Sequence, residues 1–231
     1  MTPSLQPVQP GEQTLLAEYL APLLLMTVAL FFTALTGIST ILQGKIRLLF
    51  SYWQCFPCLM MLFSACLLPR KTAICANAAQ KTLLASIALL ALSPFPTWAV
   101  RSSENTYFHL CSIACLAVIF WLQLEICQLL RILAEHGKIP LLAVSARKTQ
   151  FLLLCFEIVP VCAVYGSGIL GLFTGTSRSF QDVLRIWNYG QISLMLRIFL
   201  YWSLLQFFFL CLSATWMAAR QLKKRLAETA S

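Results

Sequence analysis

Six stretches of this chain, each about 19 to 23 residues long, carry no charge except for one Glu in each of two: residues 20–42, 48–68, 82–100, 108–130, 151–173 and 198–219. About 20 helical residues at 1.5 Å each cross a hydrocarbon layer about 30 Å thick, so these runs have the length a bilayer demands. With 59% hydrophobic residues among 231, the chain has more apolar surface than a water-soluble core of that size hides. Backbone polar groups in lipid must be satisfied internally, which a helix does within one segment. The expected fold is therefore all-α, a polytopic transmembrane helical bundle of six spans. A short polar tail (residues 1–19) precedes it and a basic tail (residues 220–231) follows it.

The connectors support this order. Residues 43–47 join the first two spans so closely that the second must return beside the first. Residues 69–81 read as a polar connector, and Pro94 and Pro96 distort the far end of the third span. Gly137 and Pro140 interrupt the connector between the fourth and fifth spans, and Pro160 kinks the fifth. From residue 179 to 196 the pattern becomes amphipathic, with Phe180, Val183, Leu184 and Trp187 opposed to Gln181, Asp182, Arg185 and Asn188, as in a helix lying along the membrane surface. The longest non-spanning stretch, about 24 residues, is too short for a separate soluble core.

The formal net charge of +9 could suggest nucleic acid, but the cations sit in short connectors and at the C-terminus instead of gathering on one soluble face, so no nucleic-acid partner is expected. Eleven of the 17 Lys and Arg fall in the odd-side set of connectors (residues 69–81, 131–150 and 220–231) and six in the other. The positive-inside bias then places both termini in the cytoplasm of a cell membrane, of the bacterial inner-membrane type. Residues 1–13 hold no Lys or Arg, and the apolar run that follows is about 23 residues, longer than the core of a cleaved signal, so it reads as a retained span. Most of the ten cysteines lie inside apolar runs, where Cys serves as a small hydrophobe.

The hairpin from Phe108 to Phe173 holds the two carboxylates within spans, Glu125 and Glu157. An ionised group at that depth costs at least about 2.5 kcal/mol and is normally paired, turned inward or set along a polar path. Glu125 lies six residues before Arg131 and Glu157 nine after Lys148, so helices running in opposite directions bring them to similar depth. Gln128, three residues on from Glu125, shares its side of the helix. These three form the candidate substrate or ion relay, since neighbouring buried carboxylates hold protons readily. The simpler alternative is that each Glu only fixes packing.

Small residues at helical spacing, Thr33, Gly37 and Thr40 in the first span with Gly44 just past it, and Ser167 and Gly171 in the fifth with Gly175 just past it, read as seams for close helix packing. His109 and His136 fall at opposite membrane faces, and no metal, phosphate-loop or nucleophile motif occurs, so no metal, cofactor or catalytic residue is expected.

Cys55, Phe56, Pro57 and Cys58 have the C-x-P-C spacing of thioredoxin-type thiol oxidoreductases. Together with Cys111 and Cys115 the pair resembles the two exchanging cysteine pairs of the quinone-linked membrane thiol oxidases of the DsbB type. The resemblance covers these four residues and implies a redox role for them. Against it, a span starting at Pro57 would have only about 12 residues before Pro69, which sets the pair inside a helix where a thiolate is disfavoured. The leading expectation is a small transporter or permease-type membrane subunit without enzymatic chemistry. The alternatives are a structural or partner-binding subunit of a larger assembly, with other membrane subunits or a second copy of the chain as its partner, and the thiol oxidoreductase.

Overall fold

The computed structural model describes residues 15–43, 55–69, 73–96, 98, 106–159, 162, 166 and 191–230. Every element among the described residues is helical. In chain order they are α1 (Leu15–Glu18), α2 (Leu20–Gln43), α3 (Cys55–Cys66), α4 (Ala73–Leu92), α5 (Thr106–His136), α6 (Pro140–Leu152), a π-helical turn (Leu153–Ile158) and α7 (Gln191–Ala230). Two stretches, Cys75–Leu92 and Leu110–His136, are long and apolar enough to cross a membrane; Leu20–Thr33 and Cys55–Cys66 are shorter apolar helices.

Each helix packs on the next, and α7 returns to α2, closing a ring of six helices with α1 tucked against α5 and α7. Early residues of α2 meet the end of α3: Ser64 Oγ donates to the Pro22 carbonyl (2.7 Å) and Tyr19 Oη to that of Pro69 (2.9 Å). Burial, and then the neighbouring Cys75 thiol, push the Tyr19 phenol well above its ordinary titration range, which keeps it a donor. Cys55 Sγ lies 3.5 Å from Ser93 Oγ, Lys81 reaches Glu125, and Thr27 Oγ1 lies 2.9 Å from Thr215 Oγ1. The Tyr19–Pro69 and Cys55–Ser93 contacts join the start of one helix to the end of its neighbour, and the Lys81–Glu125 and Thr27–Thr215 pairs join the first half of one helix to the second half of the other, so direction alternates around the ring. The alanines Ala29, Ala85, Ala214 and Ala218 are fully buried, small enough for helix axes to approach closely. Leu122, Ile126, Leu129, Leu130 and Leu133 form the inward stripe of α5.

Alternation also sorts the charges. The cations whose side chains are described all lie toward the end where α5 stops and α6 begins: Lys81 in the first half of α4, Arg131 and Lys138 at that turn, Arg147 and Lys148 on α6, and Arg220, Lys223 and Lys224 late in α7.

Several expected boundaries move. The connector at residues 69–81 is helical from Ala73, and the helix stops at Leu92 before the turn at Ser93 and Pro94. Alanines favour the helix at its start, and the prolines stop it short of residue 100. Lys81 is thus inside a helix, not in a loop. Residues 191–196, expected in a separate surface helix, belong to the same continuous helix as 198–219, which runs on into the basic tail to Ala230. The remainder of that expected surface helix, with Ser167, Gly171, Gly175 and Gly44, lies outside the described residues. Gly37 and Thr40 are in α2, beyond the side chains described there; Thr33 is exposed and its hydroxyl donates to the Ala29 carbonyl (2.9 Å).

The α5–α6 connection is three residues long, because α5 continues to His136 and Pro140 opens α6 in the first turn, where its missing N–H costs nothing. The end of α5 is a Schellman turn: the Ile139 amide donates to Ala134 O (2.8 Å) and that of Lys138 to Glu135 O (3.3 Å). A Cβ on Gly137 would lie 3.0 Å from Leu133 O, so Gly fits there. Lys138 itself holds φ = 53°, the left-handed conformation that costs a side-chain-bearing residue about 1–2 kcal/mol. Replacing Lys138 by Gly should therefore stabilise the chain by about 1 kcal/mol, seen as a higher thermal midpoint; an unchanged or lower midpoint would show that the turn is unstrained.

Pro160, where a kink is expected, lies outside the described residues; the residues just before it form the π-helical turn. The Val159 amide donates to Leu154 O, five residues back. A widened turn relieves the clash that a proline ring makes with the carbonyl four residues earlier.

Candidate functional site

Glu125 sits on α5 among buried Leu122, Ile126 and Leu129, and is itself 8% exposed. One turn earlier Trp121 donates its indole N–H to Glu125 Oε1 (3.1 Å), an i,i+4 pair of the sort helices make readily. From α4 the Lys81 ammonium comes within 4.0 Å of the same oxygen. That separation exceeds hydrogen-bond length, so the attraction is Coulombic. The other oxygen, Oε2, is buried and accepts no hydrogen bond among the described residues. Burying an acceptor unpaired costs about 1–3 kcal/mol, so a carboxylate in this state has the capacity to take a proton, a cation or a donor group.

Gln128 does not join this group. It is exposed, because three residues along a helix turn it about 60° away from Glu125, here onto the outer surface.

Glu157 lies in the π-helical turn and is 3% exposed. It is an electrostatic neighbour of the Cys127 thiol, which also has Cys211 of α7 as a neighbour. Cys127 is two residues beyond Glu125, about 3 Å along the helix but about 200° around it. Glu157 therefore faces the Cys127 side of α5, away from the side where Lys81 meets Glu125. Gln123, 5% exposed, shares the Cys127 side, one turn away, and its Oε1 is also buried without a hydrogen bond among the described residues.

Sequence reading missed Lys81, Trp121 and Gln123. The four-residue spacing of Trp121 and Glu125 was a usable signal; Lys81 was hidden by a helix that starts earlier than its composition suggests.

The thiols of the C-x-P-C segment begin α3 among the described residues. The Cys58 thiol has Cys55 and, across the bundle, the buried Cys115 as electrostatic neighbours; Cys111 hydrogen-bonds with the Tyr107 hydroxyl. All four are free thiols. His136 Nδ1 is 2.8 Å from the Ile132 carbonyl, and among the described residues no group of three His, Cys, Asp or Glu converges as metal ligands do. Comparison with known protein families, curated proteins and solved structures finds no match.

Proposed function

We propose that this chain is a six-span integral membrane protein acting as a small transporter or permease-type subunit, with Glu125 and Lys81 as its polar centre. The observation that carries the reading is the buried Glu125 carboxylate, which has one oxygen shared between Trp121 and Lys81 and the other unpartnered. A purely structural ion pair would satisfy both oxygens, since each unmet acceptor weakens the fold.

Three further features support the membrane part. Direction alternates around the helix ring, the described cations gather at one end, and large apolar side chains such as Phe63, Ile87, Leu110 and Phe209 face outward. A belt of that kind suits lipid and is rare on a monomer in water. The cation-rich end is cytoplasmic in this reading, with both termini there. Glu157, across α5 from Glu125, is a second station on the far side of the same helix and at the same depth.

Purified chain reconstituted in liposomes with a trapped pH-sensitive dye should dissipate an imposed proton gradient, and Glu125→Gln, which keeps shape but cannot ionise, should slow it at least about tenfold, the scale of a lost relay group. Equal rates in wild type and variant, at equal protein levels, would sink the transport reading.

A further inference from the structure

The basic end of the bundle has more positive charge than its own acids neutralise. α7 is 40 residues long, about 60 Å, twice the thickness of a hydrocarbon core, so it must run on past one face of the layer. Trp216 is exposed near that point, the kind of residue that settles at the headgroup level. One turn further the Arg220 guanidinium lies 5.3 Å from the centre of its ring, and Lys223 and Lys224 follow, both exposed. α6 packs beside α7 and carries exposed Arg147 and Lys148, about 15 Å along its axis from Glu157 toward the same end.

Acids are few there. Glu135 pairs with Arg131 (2.9 Å) and Glu228 lies 4.0 Å from Lys224, whereas Arg147, Lys148 and Lys223 make no ion pair among the described residues. Two neighbouring helices thus present cations at one level next to an interfacial Trp. That arrangement complements a layer of phosphodiester anions at the depth where the apolar belt ends.

We propose that Arg147, Lys148, Arg220, Lys223 and Lys224 form a docking surface for the headgroups of anionic phospholipids in the leaflet at this end of the bundle. The proposal rests on the membrane reading above. Cations near such a surface each contribute about five-fold in affinity, and the attraction falls with added salt as the Debye length shortens.

The test uses the full chain in mixed micelles holding equal phosphatidylglycerol and phosphatidylcholine, with the bound lipids counted by native mass spectrometry. Wild type should retain phosphatidylglycerol over phosphatidylcholine by at least about five-fold, and the Arg147→Gln, Lys148→Gln, Lys223→Gln, Lys224→Gln variant should bind both equally. The double variant Lys223→Gln, Lys224→Gln, confined to the exposed end of α7, should lose part of the preference even where the larger set lowers the yield. Equal binding of the two lipids by wild type, or an undiminished preference in the double variant, overturns the proposal. A chain that stays in solution without detergent would instead defeat the membrane reading itself, and one that needs detergent yet shows no lipid preference defeats only the docking surface.

Discussion

Phe209→Asp should leave little folded protein in the membrane fraction, while Leu226→Asp on the same helix should be nearly silent. The two side chains are comparably exposed, 55% and 63%, so in water neither substitution would cost much, and a charge in place of an exposed Phe would aid solubility. Phe209 is near the middle of the 198–219 run, however, and an aspartate at the centre of a spanning helix costs about 2.5–3.5 kcal/mol, enough to shift a marginal equilibrium a hundredfold. Leu226 lies 17 residues further along α7, beyond the apolar run, where that penalty vanishes. Quantifying both variants in washed membranes, with thermal unfolding of the detergent-extracted protein, separates the cases. Equal yields and midpoints for the two would mean that Phe209 does not face lipid.

The Lys81–Glu125 contact should respond asymmetrically. Removing the lysine, as in Lys81→Met, leaves a buried carboxylate with, among the described residues, the Trp121 indole as its one polar partner, whereas removing the acid leaves a lysine side chain that is 44% exposed and can reach polar surroundings. Breaking a fully buried pair costs about 3–5 kcal/mol. Because Lys81 is half exposed and screened, about 1–2 kcal/mol is expected for Lys81→Met, and less than about 1 kcal/mol for Glu125→Gln. The double variant should then be more stable than Lys81→Met alone, since the stranded charge is gone. Thermal midpoints of the three variants in one detergent make the cycle; strictly additive effects would show that the pair does not interact.

Helical character, the positions of the apolar runs and the break between two helices at Gly137 and Pro140 are legible in the amino-acid order alone. The same order leads to the expectation that Glu125 and Glu157 lie at similar depth, because rise per residue is fixed by helix geometry and both can be counted from flanking cations. It did not place helix ends well: Ala73 to Lys81 and Arg131 to His136 are polar enough to read as connectors, but their backbone continues the helical ladder while their side chains reach outward.

Packing between helices fixes what that order leaves open: which sides of α5 the two carboxylates face, that Lys81 attends one of them and Cys127 the other, and that α7 closes the ring onto α2. The reason is physical. In a helix that is apolar around its whole circumference, no periodic contrast between apolar and polar residues marks the side turned toward its neighbours. Close packing of small residues such as Ala29, Ala214 and Ala218 settles the rotation instead, and that complementarity exists only between helices, not within any one of them.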